Sequence, residues 1–128
     1  MIRSIKELSI IIPAYNEFNN LKHLIKKTNS ILLKNKNVEI IIVDNGSTDG
    51  SKNYLQYNKK LFSKIKFVRV KKNFGYGYGI KYGLKFATGK IISWTHADLQ
   101  FDINDIIKFF QKNNNLIINQ NLVIKGRR

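Results

Sequence analysis

Val38-Glu39-Ile40-Ile41-Ile42-Val43, followed at once by Asp44-Asn45-Gly46-Ser47-Thr48-Asp49-Gly50, decides the fold. A run so rich in β-branched residues, interrupted only by Glu39, predicts a strand buried on both sides, as in a parallel sheet covered by helices. Asp44-Asn45-Gly46 stops that strand. Ser47 or Thr48 is placed to cap the helix that follows, with Tyr54, Leu55 and Leu61 among its apolar positions. Upstream, Leu8 to Pro13 is a second such run, ended by Pro13. From Asn20, residues Leu21, Leu24, Ile25, Thr28, Ile31 and Leu32 recur at helical spacing and define one sheet-facing stripe. Downstream, Ile65 to Val70 alternates with Lys66 and Arg69 and reads as a strand nearer an edge.

The glycine-rich stretch Asn73 to Gly79 leads into a helix through Ile80, Leu84 and Ala87, ending at Gly89. Ile91 to Trp94 is a fourth strand. Asp102 or Asn104 then caps a helix carrying Ile106, Ile107, Phe109 and Phe110. A polar loop at Asn113 to Asn115 and a short strand at Leu122 to Ile124 complete the pattern. Strand and helix alternate without linker or repeat, which predicts an α/β fold: a mostly parallel sheet with helices on both faces. At 128 residues the expected organisation is one domain over 1–128.

No cysteine is present, which excludes disulfides, thiolate metal sites and a cysteine nucleophile, and agrees with a cytoplasmic setting. No apolar stretch approaches the ~20 residues of a membrane span, and the start of the chain lacks the apolar region and cleavage site of a signal peptide. The formal net charge of +15 raises nucleic acid or anionic membrane as partners. Lysines are spread over helices and loops and arginine is scarce, so the charge reads either as a diffuse solvated surface or as a phosphate-binding or membrane-facing patch. Nucleic acid is not expected.

Glu17, Asp44, Asp49 and Asp98 all follow apolar β-like runs, where acids at the ends of parallel strands can meet a cation, sugar hydroxyls or a base edge. Each segment also has a plainer reading. Asn16 and Glu17 suit a helix N-terminus, and Asp44 to Gly50 suits an Asx turn or a cap. That loop is not an EF-hand, because its sixth and twelfth positions are Asp49 and Leu55. The glycines fail the dinucleotide fingerprint, since the third glycine position falls on Ile80 or Tyr82. They fit either a tight turn with close helix packing or contact with a ligand. In His96-Ala97-Asp98-Leu99-Gln100, alternation after a strand points His96, Asp98 and Gln100 one way, as a hard cation such as Mg²⁺ or Mn²⁺ would use, or forms a polar strand-end turn.

Together Ser9-Ile10-Ile11-Ile12-Pro13-Ala14-Tyr15-Asn16-Glu17, Ile42-Val43-Asp44-Asn45-Gly46-Ser47-Thr48-Asp49, Asn73-x-Gly75 with Gly79 and Gly83, Ala87-x-Gly89, Ala97-Asp98-Leu99-Gln100 and Lys125-Gly126-x-Arg128 resemble the family 2 glycosyltransferases, most closely their dolichyl-phosphate-mannose-synthase-like branch. The resemblance implies a Rossmann-like GT-A fold, incomplete at its C-terminus, and transfer of a sugar from a nucleotide-diphosphate donor to a lipid-phosphate or glycan acceptor. It implies that Pro13, Ala14, Tyr15, Glu17, Asp44, Asn45, Gly46, Ser47, Asn73, Gly75, His96 and Ala97 bind the nucleotide sugar. Asp98 and Gln100 would hold a divalent cation, Mg²⁺ or Mn²⁺. An envelope or lipid-linked pathway at the inner face of a membrane, with peripheral contact, is the implied setting. His96 stands where the family has the first aspartate of Asp-Ala-Asp, which removes one charge from the metal or ribose edge. No residue is assigned as catalytic base. The rival expectation is a non-catalytic nucleotide-sugar-binding or scaffold domain.

Overall fold

The computed structural model describes residues 5–118. Strand β1 (Leu8–Ala14) is followed by α1 (Phe18–Lys34), β2 (Val38–Asn45), α2 (Ser51–Leu61), β3 (Lys66–Val70), α3 (Tyr76–Leu84), β4 (Ile91–Trp94) and α4 (Ile103–Ile118). The strands form one sheet in the order β3-β2-β1-β4, and every pairing is parallel. The chain therefore winds outward from β1 to β3, then crosses to the other side of β1.

The two faces of the sheet are covered unequally. Leu8, Ile10, Ile12 and Ala14 of β1, with Val38, Ile40 and Ile42 of β2, pack against α1, α2 and α4. On the opposite face Ile11, Ile41, Val43 and Val70 meet the α3 side, where Tyr82 and Ala87 join them. The helical stripe expected in α1 is buried at each position named for it. Full burial of aliphatic side chains of this size contributes about 1.5–3 kcal/mol each.

Several expected boundaries shift. Pro13 does not end β1 but lies inside it, opposite Val43. Its place is allowed by the ladder: the carbonyls of Glu7 and Ile11 accept hydrogen bonds from Ile91 and Thr95, so odd-numbered backbone groups of β1 face β4. Pairing with β4 stops at Ile11 and Trp94, so the donor that proline lacks falls where β4 has already left. Asp44 and Asn45 are the last residues of β2 rather than its stop, and both are buried. Neither Ser47 nor Thr48 caps α2; Gly50 holds that position, and Asp49 takes the Ser51 amide. Leu61 is exposed.

The face of α3 also differs from the expectation. Leu84 is exposed, and the buried positions are Gly79 and Gly83, while the helix ends before Gly89. A Cβ on Gly83 would lie 2.6 Å from a methyl of Ile11, so the helix rests on the sheet through its backbone. Asn113 to Asn115 lie within α4, where Asn113 donates to the carbonyl of Phe109. The Leu122 to Ile124 strand and the Lys125-Gly126-x-Arg128 motif fall outside the described residues.

At the amino-terminal end of the sheet Glu39 is 4% exposed. It accepts from Lys66 Nζ at 2.7 Å, Ser9 Oγ at 2.5 Å, Thr88 Oγ1 at 3.0 Å and the Thr88 amide. Burial pushes this carboxyl up, but the donors from Lys66, Ser9 and Thr88 together hold it below the usual glutamate value. A carboxyl depressed in the folded state stabilises the fold above its unfolded value and ceases to do so as the pH falls through the folded one. The stability gap between wild type and Glu39→Gln should accordingly be widest near neutral pH and shrink in acid, as urea unfolding at a series of pH values would read.

Candidate functional site

Because the strands are parallel, the loops after all four open at one end of the sheet. The loops after β1 and β2 are tied together. Ser47 Oγ accepts the Asn16 amide at 3.0 Å and donates to the Ala14 carbonyl at 3.4 Å, while the Thr48 amide donates to Asn16 Oδ1 at 2.8 Å. Asn16 adopts φ 53, a left-handed conformation that asparagine tolerates. Asp49 accepts the first amides of two helices, Phe18 of α1 and Ser51 of α2, along with the Ser51 hydroxyl. Burial acts to raise its carboxyl, and these donors outweigh that and lower it. Asp49 is thus spent on helix starts.

The loop after β2 is in turn tied to the one after β3. Gly46, at φ +78, would place a Cβ 2.4 Å from the Asn73 nitrogen, so glycine is what lets the two backbones approach. Asn45 Nδ2 donates to the Gly75 carbonyl at 3.0 Å, and Asn73 Oδ1 accepts the Gly75 amide at 2.7 Å. Asn45 Oδ1 is buried without a hydrogen-bond partner among the described residues.

Asp44 is 2% exposed at the end of β2. One oxygen accepts the Ser47 amide at 3.0 Å, and the other is ion-paired with Arg69, its register partner on β3. Arg69 also reaches the Ser47 carbonyl. The sequence reading did not place Arg69 in the site. Its signal was a cation on the strand opposite Asp44, visible only once the register is known.

The last wall is the segment after β4. The strand ends at Trp94, so the alternation expected over His96 to Gln100 is absent: Asp98 to Gln100 form a turn, with Leu99 left-handed at φ 63. Asp98 Oδ1 accepts the Gln100 amide at 3.2 Å, and Gln100 itself is exposed. His96 stacks on Tyr76 at the start of α3, ring centroids 4.7 Å apart and planes 14° from parallel. The Tyr76 phenol is pushed up by burial and by the Asp98 charge, which places Tyr76, His96 and Asp98 in one neighbourhood. Tyr76 is a second site-wall residue that the sequence reading had not assigned.

Asp44 and Asp98 thus lie at the ends of the two strands that flank β1, on one side of the molecule. Pro13 and Ala14 are buried between them, whereas Tyr15 is exposed. Glu17 turns to its own helix, accepting Asn20 Nδ2 at 2.8 Å, and contacts neither Asp44 nor Asp98. Among the described residues no group of three or more His, Cys, Asp or Glu side chains is arranged to hold a metal.

A parallel α/β sheet with polar loops converging beyond its carboxyl ends has its crevice where open sheets of this class bind ligands. The chain belongs to glycosyl transferase family 2, which it matches over residues 9–126. Among solved structures, the mannosyltransferase PcManGT from Pyrobaculum calidifontis, in complex with GDP-Man and Mn²⁺, is similar at TM-score 0.59 and 23% identity, over 81% of this chain and 31% of that one. S. aureus TarS 1-349 in complex with UDP is similar at TM-score 0.64 and 20% identity, over 84% of this chain and 33% of that one. Its complex with UDP-GlcNAc gives 0.61 and 20%, over 84% and 32%. The chain spans about a third of the length of these proteins. They show the GT-A fold. Among the described residues no helix is long and apolar enough to cross a membrane.

Proposed function

We propose that the crevice binds the nucleotide-diphosphate sugar of a glycosyl transfer, of the hexosyltransferase type and closest to the dolichyl-phosphate-mannose-synthase-like branch, with a lipid-phosphate or glycan acceptor. The observation that carries this reading is the convergence of Asp44 and Asn45 at the end of β2, Gly75 after β3, and His96 and Asp98 after β4 at one sheet end, in a member of this family. Tyr15, exposed beside Pro13 and Ala14, offers a ring face for the base. Arg69, part-exposed and paired with the buried Asp44, offers a donor to a carbonyl of the base.

Asp98, with one partly exposed carboxylate, would hold a divalent cation, and the described residues form no cage of three or more acidic, His or Cys ligands around it. A divalent ion there supplies charge stabilisation to the departing nucleoside diphosphate. The chain's own residues bind and orient: the loops after β1 and β2 fix the nucleoside, and the turn at Asp98 faces the phosphates. An ionised phosphate oxygen of the acceptor, or a glycan hydroxyl that gives its proton to solvent, then forms its bond to the anomeric carbon as the bond to the diphosphate breaks, that electron pair leaving with the nucleotide.

Titration with UDP- and GDP-sugars under Mg²⁺ and Mn²⁺, on wild type and His96→Asp, tests the reading. One donor class is expected to bind wild type with either ion and to lose affinity with chelator. His96→Asp should tighten Mg²⁺-supported binding by up to about tenfold, because a hard ion prefers an anionic oxygen to nitrogen, and the gain should be smaller with Mn²⁺. No binding of either donor under any condition would overturn the proposal; equal affinities in both proteins would remove His96 from it.

A further inference from the structure

The molecule's acids are segregated along the strand direction. Of the eight in the sequence, Glu17, Asp44, Asp49, Asp98, Asp102 and Asp105 end or follow strands and lie toward the carboxyl end of the sheet, leaving Glu7 and Glu39 at the other. At that amino-terminal end is a cavity of about 800 Å³ rimmed by Lys6, Lys36, Lys64, Lys66 and Lys85. Its size lies within the range of small-molecule sites. Leu32, Val38 and Phe86 give it apolar wall as well.

The carboxylate in its wall does not neutralise this rim. Glu39 is saturated by Ser9, Thr88 and Lys66, so only Lys66 is compensated. Among the described residues the ion pairs are Lys27 with Asp102, Lys66 with Glu39 and Arg69 with Asp44, which leaves Lys6, Lys36, Lys64 and Lys85 without a carboxylate partner. Lys6 donates to the Lys36 carbonyl at 2.7 Å, which draws those two lysines to one side, and Lys85 lies over the Tyr82 ring. Complementing helix dipoles accounts for part of the cluster, since Lys85 is the C-cap of α3 and Lys36 follows the C-cap of α1, but not for Lys6 and Lys66, which lie before β1 and at the start of β3.

We propose that this cavity is a second binding site, distinct from the donor crevice, for an organic phosphate: a phosphoryl group held by Lys36 and Lys64 with its organic part against Leu32, Val38 and Phe86. Unopposed ammonium groups around a low-dielectric wall concentrate an anion there. The inference does not depend on the glycosyl-transfer reading, because the two sites lie at opposite ends of the strands.

The test is calorimetric titration with inorganic pyrophosphate in the presence of saturating UDP, and sedimentation with phosphatidic acid vesicles against phosphatidylcholine vesicles. Binding of pyrophosphate supports a soluble phosphate; binding of phosphatidic acid vesicles alone supports a lipid headgroup. Lys36→Glu/Lys64→Glu should weaken whichever is observed at least about tenfold, and Lys22→Glu/Lys26→Glu, the same charge change on exposed positions of α1, should leave it within about twofold. Amide chemical shifts should move at residues 36–39 and 85–88, with thermal unfolding checking that the variants remain folded. Equal loss in both double variants, shifts confined to the Asp44 and Asp98 loops, or no binding of either probe would overturn the proposal.

Discussion

Asp98→Asn is expected to weaken metal-supported nucleotide-sugar binding about 100-fold, or ~2.7 kcal/mol at about 1.36 kcal/mol per tenfold change. The expectation rests on how little else the proposed cation site has. Asp98 is the one carboxylate of its turn, its Oδ1 already takes the Gln100 amide, and His96 is stacked on Tyr76. A carboxamide of the same shape keeps an acceptor oxygen but loses the charge that holds a divalent ion. Asp102→Asn is the matched control. That carboxylate is exposed, pairs with Lys27 at 2.8 Å and accepts the Asn104 amide, so its loss touches the start of α4 and should leave donor affinity within about twofold. Calorimetry with Mn²⁺ and with chelator reads both. If wild type binds its donor as well in chelator as in Mn²⁺, the role given to Asp98 is wrong.

Gly46→Ala should cost about 2–4 kcal/mol of folding stability, combining backbone strain with forced separation of packed chain. At φ +78 an alanine is strained in any surroundings, and here its Cβ would lie 2.4 Å from the Asn73 nitrogen and 2.7 Å from the Lys72 carbonyl carbon. Backbone cannot rotate aside as a side chain can. Gly50→Ala separates the two causes. Gly50 has φ +94, but a Cβ there meets only the Phe18 ring at 3.8 Å, so this variant carries the strain alone, about 1 kcal/mol. Urea unfolding of the pair decides the matter: equal losses would show that the approach of the 72–73 segment contributes nothing.

What could be read from the sequence followed periodicity. The apolar runs located β1 and β2, alternation with Lys66 and Arg69 located β3, and the stripe from Leu21 to Leu32 located the buried side of α1, because these patterns record which side chains leave water. Periodicity said less about α3, where Leu84 is exposed and the helix meets the sheet through Gly79 and Gly83, the close helix packing that was one of the two readings of its glycines. A helix that packs through missing side chains leaves no apolar stripe. The caps of α2 were misread for a related reason: Asp49, Ser47 and Thr48 are chemically equivalent candidates, and only the position of the Phe18 amide assigns Asp49 to both helices. Asp44 and Asp98 were legible as acids at strand ends, whereas Glu17 and Asp49, with the same signal, turn to helix starts. Arg69 was not legible, since it needs the register of β2 with β3, and the stacking of Tyr76 on His96 needs the start of α3 to reach the end of β4.

Pro13 carries a consequence for the life of the chain outside its folded, isolated state. The end of a central strand left half-unpaired is a template on which a stray peptide could extend the sheet. On the side where β4 departs, β1 offers no amide at the next rung, so an intruding strand would find a carbonyl with no donor beside it. Where β1 loses its partner it also lacks a donor, and that rung gives little purchase to another polypeptide.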